Sequence, residues 1–501
     1  MSAGTAFKLR DANAPIGSRI EALEILRHLS YKHLVAALSL GFALRLFFVI
    51  HFPFYAGDTK FYDELARNLQ DHRVYGLFVR GQLIPVDIRM PGYPAFLSGL
   101  YAVFGRSTKA VMVFQAFIDL LSCLLTAVIA GLIAPTASKI RVATITLWMA
   151  ALCPFTANYS AALLTEVLAT FLTTSAILAF LMAFGRASTS SSNKPSEPWT
   201  LYSEAASWLL TGIIVGLGTL VRPETPLFML AAGLLLAVYW RRPANWKKLF
   251  LAMSWMSLGL VLPLLPWAVR NARTLGRVEF LAPRYAQTYG DFIPRGFYSW
   301  TGTWMVHFKE AYLVTWKLGK EPIRMRDLPE AAFDSSAERA RVELLLHQYN
   351  SDLQMSPVLD REFASLARER ITRRPIRTHV EIPLARMRSI WFTPRIALLP
   401  YSGKLWPPKE MWRNDRTDFA TTIGFGILNF IYLVLAAIGA WRFRKQPMVV
   451  FLVALVLIRT VFLTQLQTVE PRYVIVCYPV VLALGALAWF QPAKGLQALN
   501  N

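Results

Sequence analysis

Leu34 to Phe52, LVAALSLGFALRLFFVIHF, runs almost directly into Gly57-Asp58-Thr59-Lys60-Phe61-Tyr62. About 20 apolar residues in helical form cross ~30 Å of hydrocarbon. The run is therefore read as a membrane span that delivers Asp58 to the surface at its far end. Lys8, Arg10, Arg19, Arg27 and Lys32 precede it. Both this polar lead and the apolar run are too long for a cleaved secretory signal, and no small-residue cleavage site follows, so the run reads as a retained anchor.

Outward from there, roughly ten stretches approach spanning length by a sliding hydropathy window. Of the 501 residues, 55% are hydrophobic and 17% charged, with a formal charge of +22. That charge is scattered between apolar runs and accompanies no base-reading motif, which argues against nucleic acid as a partner. Cys123, Cys153 and Cys477 all lie in apolar segments, as buried thiols do and a disulfide framework does not.

Threaded alternately from an inside N-terminus, residues 111–133 return to Lys139 and Arg141. Residues 142–154 and 161–184 form a hairpin with Asn158 at its outer tip and Glu166 just inside the membrane. Its return loop carries Arg186, Lys194 and the Ser-rich stretch 188–196, a linker by composition. A second hairpin, 205–221 and 225–240, is broken by Arg222-Pro223-Glu224 and ends inside at Arg241, Arg242, Lys247 and Lys248. Residues 249–269 exit at Pro266-Trp267 and Arg270-Asn271. Residues 1–270 make one membrane core, 271–417 a mostly helical extracytoplasmic segment with helical periodicity near 337–347 and 363–371, and 418–501 the closing spans. Those spans, 419–440, 448–464 and 473–490, flank Arg442, Arg444 and Lys445 and leave Lys494 inside. The short inner loops gather lysine and arginine, as the positive-inside rule requires, and the outer face gathers mixed acid and base. The expected class is an all-α polytopic membrane protein.

Each outer motif has a functional and a plain reading. Phe61, Tyr62, Leu65 and Leu69 repeat at helical spacing, an amphipathic interfacial helix that Asp58 either caps or uses as a platform. In Arg89-Met90-Pro91-Gly92-Tyr93-Pro94 a rigid turn follows an arginine able to donate two parallel hydrogen bonds to a phosphate, or simply solvated. Glu166 in an apolar helix costs about 2.5 kcal/mol or more and so faces a cavity or a cation. Arg45 invites the same argument, as its partner or as a structural counter-ion. Arg222-Pro223-Glu224, Arg270-Asn271 and Glu470-Pro471-Arg472-Tyr473 each resemble a helix end with a snorkelling arginine; together with Arg89 their arginines make a cationic clamp. Residues 368–395 hold Arg370, Arg373, Arg374, Arg377, Arg386 and Arg388 ahead of Trp391-Phe392, either a surface for lipid phosphates or a solvated helix face. No His-Glu-x-x-His, paired cysteines or first-loop Asp-x-Asp points to a metal.

Taken in order, Asp58 with Tyr62, Arg89 to Pro94, Leu164-Thr165-Glu166, Gly216-Leu217 leading to Arg222-Pro223-Glu224, Pro266-Trp267 with Arg270-Asn271, and Glu470 to Tyr473 resemble the GT-C membrane glycosyltransferases. The branch is that of protein O-mannosyltransferases and lipid A aminoarabinose transferases. The likeness covers residues 34–270 and 419–490. It implies a bundle of about ten transmembrane helices with interfacial helices and an extracytoplasmic insertion. It also implies inverting transfer of a single sugar, hexosyl or pentosyl, from a polyprenyl-phosphate donor to a hydroxyl on a lipid, polysaccharide or protein of the cell envelope. The implied setting is the cell inner membrane, with the site facing the periplasm or exterior, in contact with membrane lipid and without cofactor or essential metal. In that reading Asp58 and Glu166 are catalytic, Arg89, Arg270 and Arg472 bind the donor phosphate, and Tyr62, Tyr93, Arg222, Glu224, Glu470 and Tyr473 position substrates. Residues 271–416 stand where relatives carry acceptor recognition, so the acceptor does not carry over. A transporter of polyprenyl phosphate or lipid-linked sugar is the alternative; transporters tend to show internal repeats and midplane sites, and this chain shows no repeat and gathers its charges at one surface.

Overall fold

The computed structural model describes residues 19–55, 57–189, 198–283, 285, 292–466, 468 and 470–492. Lys8, Arg10, Lys194, Lys494 and the Ser-rich stretch beyond Thr189 lie outside the described residues. The order begins with α1 Arg19–His28, α2 Tyr31–His51, α3 Asp58–His72, the hairpin β1 Gly76–Val79 and β2 Gln82–Pro85, and α4 Gly92–Phe104. It continues with α5 Thr108–Ile133, α6 Lys139–Ala151, α7 Pro154–Ala157, α8 Glu166–Thr189, α9 Pro198–Val221, α10 Leu227–Tyr239 and α11 Trp246–Leu275. A polar insert holds α12 Arg295–Gly302, α13 Phe308–Glu310, α14 Ser336–Asp352, α15 Pro357–Arg373, α16 Ile382–Trp391 and α17 Pro408–Asn414. The chain closes with α18 Arg416–Arg442, α19 Pro447–Thr464 and α20 Tyr478–Ala486.

Among the described residues eight helical stretches are long and apolar enough to cross a membrane: within α2, α5, α8, α9, α11, α18, α19 and the run Pro471–Trp489. α6 with the Pro154–Ala161 segment, bent by 46°, is a broken span or a re-entrant loop and brings the number to nine when counted as one span; the 13-residue α10 is a shorter apolar helix beside them. The protein is thus an all-α multi-pass membrane protein, and the expectation of about ten spans counts these last two. Among the described residues the one sheet is the hairpin β1–β2, absent from the sequence reading because each strand has only four residues. Arg80 and Gly81 at its tip both have positive φ, the turn that matches strand twist.

Two element ends differ from expectation. Glu166 is the first residue of α8 and not an interior one; there the helix macrodipole favours a carboxylate. α11 runs on to Leu275 through Pro263 and Pro266, so Arg270 and Asn271 lie within the helix and not beyond its end.

Close backbone contact sets the site's geometry. A Cβ on Gly212 or Gly216 of α9 would fall 2.1 Å from the Met256 carbonyl oxygen or 2.5 Å from that of Leu260. Small residues allow such approach between membrane helices. At the far end of α9, a Cβ on Gly92 would fall 2.6 Å from the Leu220 carbonyl oxygen, so the Arg89 loop docks beside Arg222.

Arg45, fully buried in α2, answers the open question of its partner. It pairs with Asp119 of α5 at 2.6 Å and donates to the Gly41 and Ala151 carbonyls, each at 2.8 Å. It is a structural counter-ion, and Glu166 is not its partner. The insert has its own core around Phe297, Trp300, Trp304, Leu346, Tyr349 and Phe363. The expected helices near 337–347 and 363–371 are α14 and α15, capped by Ser335 and Ser356 side chains. All three cysteines are buried and free.

Candidate active site

Gly57, with φ +58°, is the N-cap of α3, and Asp58 is its first residue and makes no capping bond. Its carboxylate is free to reach across the bundle. Oδ1 accepts from Arg89 Nη2 at 3.1 Å and Oδ2 from Arg472 Nη2 at 2.5 Å. Asp58 therefore does not cap α3; its carboxylate is shared between two arginines.

From Arg472 a chain of ion pairs continues inward. Its Nε lies 2.5 Å from Glu470 Oε2 and 3.8 Å from Glu166 Oε1. Arg222 Nη1 approaches the same Glu166 oxygen at 3.3 Å, while its Nε donates to Glu224 Oε1 at 2.8 Å. Glu224 also accepts from Arg459 Nη2 at 2.8 Å. Tyr473 donates to Glu470 Oε1 at 2.8 Å, and its ring lies under Arg222 (4.8 Å) and Arg472 (5.5 Å), so a cation–π contact adds to each pair. Four guanidiniums (Arg89, Arg472, Arg222, Arg459) thus alternate with four carboxylates (Asp58, Glu470, Glu166, Glu224), and their formal charges cancel.

The network is part-exposed at Asp58 and Arg89 and buried at Glu166, Arg222, Arg459 and Glu470, and it is not saturated. Glu166, 1% exposed, leaves Oε2 without a hydrogen-bond partner, as does the nearby Asn158 at both amide atoms. An orphaned buried polar atom costs about 1–3 kcal/mol. Burial alone would raise the Asp58 carboxyl; Arg472 and Arg89 outweigh it and hold it below the usual carboxylate range. Burial, reinforced by Asp58, pushes the Tyr62 phenol up to about 12, so Tyr62 stays neutral beside the network.

Three of the residues singled out in the sequence stand apart from the ion pairs. Arg270 does not join the clamp: Nη2 donates to the Tyr75 carbonyl at 2.6 Å and Nη1 to the Val86 carbonyl and Asn271 Oδ1, both at 2.9 Å. Because α11 continues past it, Arg270 is turned onto the hairpin that leads to Arg89. Tyr93 donates to Gln115 Oε1 at 2.8 Å and receives the edge of Tyr62 with ring centres 5.2 Å apart. These two tyrosines wall the site.

Sequence reasoning missed Arg459, although it lies in the apolar α19 and the argument applied to Glu166 would have found it. It also missed Tyr75, whose hydroxyl donates to the Arg89 carbonyl at 3.0 Å. Nothing in the local pattern marks Tyr75. Among the described residues no group of three His, Cys, Asp or Glu side chains is arranged to hold a metal ion.

Fold and site together define a multi-pass helical membrane protein with a charge-balanced arginine–carboxylate network at one end of its bundle. Among solved structures it is similar to the archaeal oligosaccharyltransferase AglB from Archaeoglobus fulgidus in complex with an inhibitory peptide and a dolichol-phosphate. The identity is 15% and the TM-score 0.47, over 93% of this chain and 50% of that one. It is also similar to ArnT from Cupriavidus metallidurans bound to undecaprenyl phosphate, at 13% identity and TM-score 0.37 over 91% of this chain and 77% of that one. The chain spans about half the length of AglB. No family model and no curated protein matches the sequence.

Proposed function

We propose that this protein transfers one sugar, with inversion, from a polyprenyl-phosphate donor to a hydroxyl acceptor at the membrane face opposite its short basic loops, in a cell inner membrane. The observation that carries the reading is the Asp58 carboxylate, seven residues beyond the end of the apolar helix α2, held by two arginines 3.1 and 2.5 Å away.

A phosphate leaving group is a stable anion and needs charge stabilisation in place of a protonating acid. Arg89 and Arg472 supply it, since charge-assisted bonds from arginine fit phosphate oxygens and preorganised charge acts most strongly where water is excluded. In the resting state both arginines are engaged by Asp58. The donor phosphate competes for them, and as they turn to it the Asp58 carboxylate is released to accept a proton from the acceptor hydroxyl. The acceptor oxygen bonds to the anomeric carbon, the bond from that carbon to the phosphate oxygen breaks with its electron pair, and polyprenyl phosphate departs. Base and leaving-group clamp are thus coupled: Asp58 becomes available when the donor is in place.

Glu166, with its unpartnered oxygen, orients the acceptor, and Glu470 and Glu224 hold Arg472 and Arg222. Arg270 is assigned to fixing the loop that carries Arg89. The test is purified protein in nanodiscs with a panel of radiolabelled polyprenyl-phosphate sugars and candidate hydroxyl acceptors. Consumption of one donor with release of polyprenyl phosphate is the expected result. Translocation of a lipid-linked sugar without its consumption would replace this reading by a transporter.

A further inference from the structure

The helical run 375–391 of the insert has two contrasting sides. Ile382, Arg386 and Ile390 are buried. On the other side Ile376, Val380 and Leu384 are 69, 48 and 51% exposed at successive four-residue steps. The turn Arg377–Glu381 is a π-helix, whose wider winding keeps such a stripe nearly straight.

The buried side is bolted to the end of a membrane span. Arg386 donates to the carbonyl of Thr464, the last residue of α19, at 2.9 Å and to the Met305 carbonyl at 2.8 Å, while Trp391 Nε1 donates to Thr460 Oγ1 at 3.1 Å. α19 is one of the spans, and its Leu457 and Val461, 54 and 63% exposed, present apolar surface up to the same level. The stripe therefore stands where a lipid-facing surface ends. Exposed Arg374 and Arg388 bracket it, as do arginines that keep their heads at the lipid phosphates while their stems lie on apolar surface.

We infer that the apolar side of residues 376–384 is seated in the head-group region of the bilayer where α19 emerges, with membrane lipid as its occupant. Neither of the two readings left open for this arginine-rich stretch describes Arg370 and Arg386, which are buried structural residues, or Arg377, which pairs with Asp334 at 2.5 Å; the lipid contact is assigned to the stripe with Arg374 and Arg388. An amphipathic helix of this kind ties the insert to the membrane beside the site, independently of the chemistry proposed above.

The full chain in phosphatidylcholine–phosphatidylglycerol nanodiscs provides the test, with a spin label on Val380→Cys or, separately, Leu384→Cys; the native cysteines are buried. Collision with oxygen, which partitions into lipid, is compared with collision with a water-soluble nickel chelate. Phe430→Cys on α18, 56% exposed, is the lipid reference, and Leu344→Cys on α14, 66% exposed, the water reference. An oxygen-to-nickel ratio several-fold above that of Leu344→Cys, and below that of the mid-span Phe430→Cys, at either position is expected. Ratios equal to the Leu344→Cys value at both positions overturn the inference.

Discussion

Arg45, fully buried, and Arg472, partly buried, are both guanidiniums set among apolar helices and paired with carboxylates, yet they are built for opposite ends. Arg45 donates to Asp119, to the Gly41 carbonyl of its own helix and to the Ala151 carbonyl of α6, with a further contact to Cys123 Sγ at 3.3 Å. Its carboxylate partner Asp119 and the Gly41 carbonyl lie mid-helix in α5 and α2, and Ala151 is the buried last residue of α6, so none can leave without breaking helix packing. Arg472 is surrounded by carboxylates at element ends: Asp58 opens α3, Glu166 opens α8 and Glu470 precedes the final span. A saturated pair in the middle of helices is a fixture, and a pair shared among chain ends, with an unfilled acceptor beside it, is exchangeable.

The comparison breaks first at Asp58. Asp58→Asn is expected to lower sugar transfer by on the order of 10²–10⁴-fold, the usual contribution of a general base, with the thermal transition near wild type. The fixture fails differently. Arg45→Ala strands Asp119 and is expected to cost about 3–5 kcal/mol of stability, whereas Arg45→Met with Asp119→Leu recovers most of it, because an apolar pair replaces a buried ion pair at little cost. Denaturation in detergent distinguishes the two variants; equal losses would remove the distinction between fixture and exchange.

How these regions were read from sequence follows from the same difference. Asp58, Arg89, Glu166 and Arg472 were visible because each is a charge beside Pro, Gly or an apolar run, and alternate threading brought them to one surface. Asp119 and Arg459 carried the same signal inside α5 and α19 but stood without a flanking motif. The hairpin and Tyr75 were hidden because four-residue strands have too little periodicity to read. Arg270 was read at the end of a span because the apolar run stops at Val269, whereas α11 continues through it to Leu275.

Smaller effects sharpen the account. Arg459→Gln leaves Glu224 to Arg222 alone and draws that guanidinium from Glu166; about a tenfold fall in kcat is expected, equivalent to ~1.4 kcal/mol, with partial rescue by Arg459→Lys. An unchanged kcat would confine Arg459 to the scaffold. The smallest effect is in pH. Because Arg472 and Arg89 overcome burial and depress the Asp58 pKa, its ionised form persists as pH falls. The acid limb of kcat/KM in the free enzyme is then expected below about pH 4, the ordinary carboxylate value. Arg89→Gln removes one cation and moves that limb upward by about one unit. A limb that stays put would uncouple Arg89 from Asp58.

The most direct measurement is the affinity of polyprenyl phosphate for wild type and Asp58→Asn in nanodiscs, with the Arg45→Met, Asp119→Leu double variant as control. If Asp58 occupies the arginines that receive the phosphate, its neutralisation tightens binding by about tenfold, ~1.4 kcal/mol, although transfer is lost, and the control binds like wild type. Equal or weaker binding by Asp58→Asn would contradict the claim that base and donor share one pair of arginines.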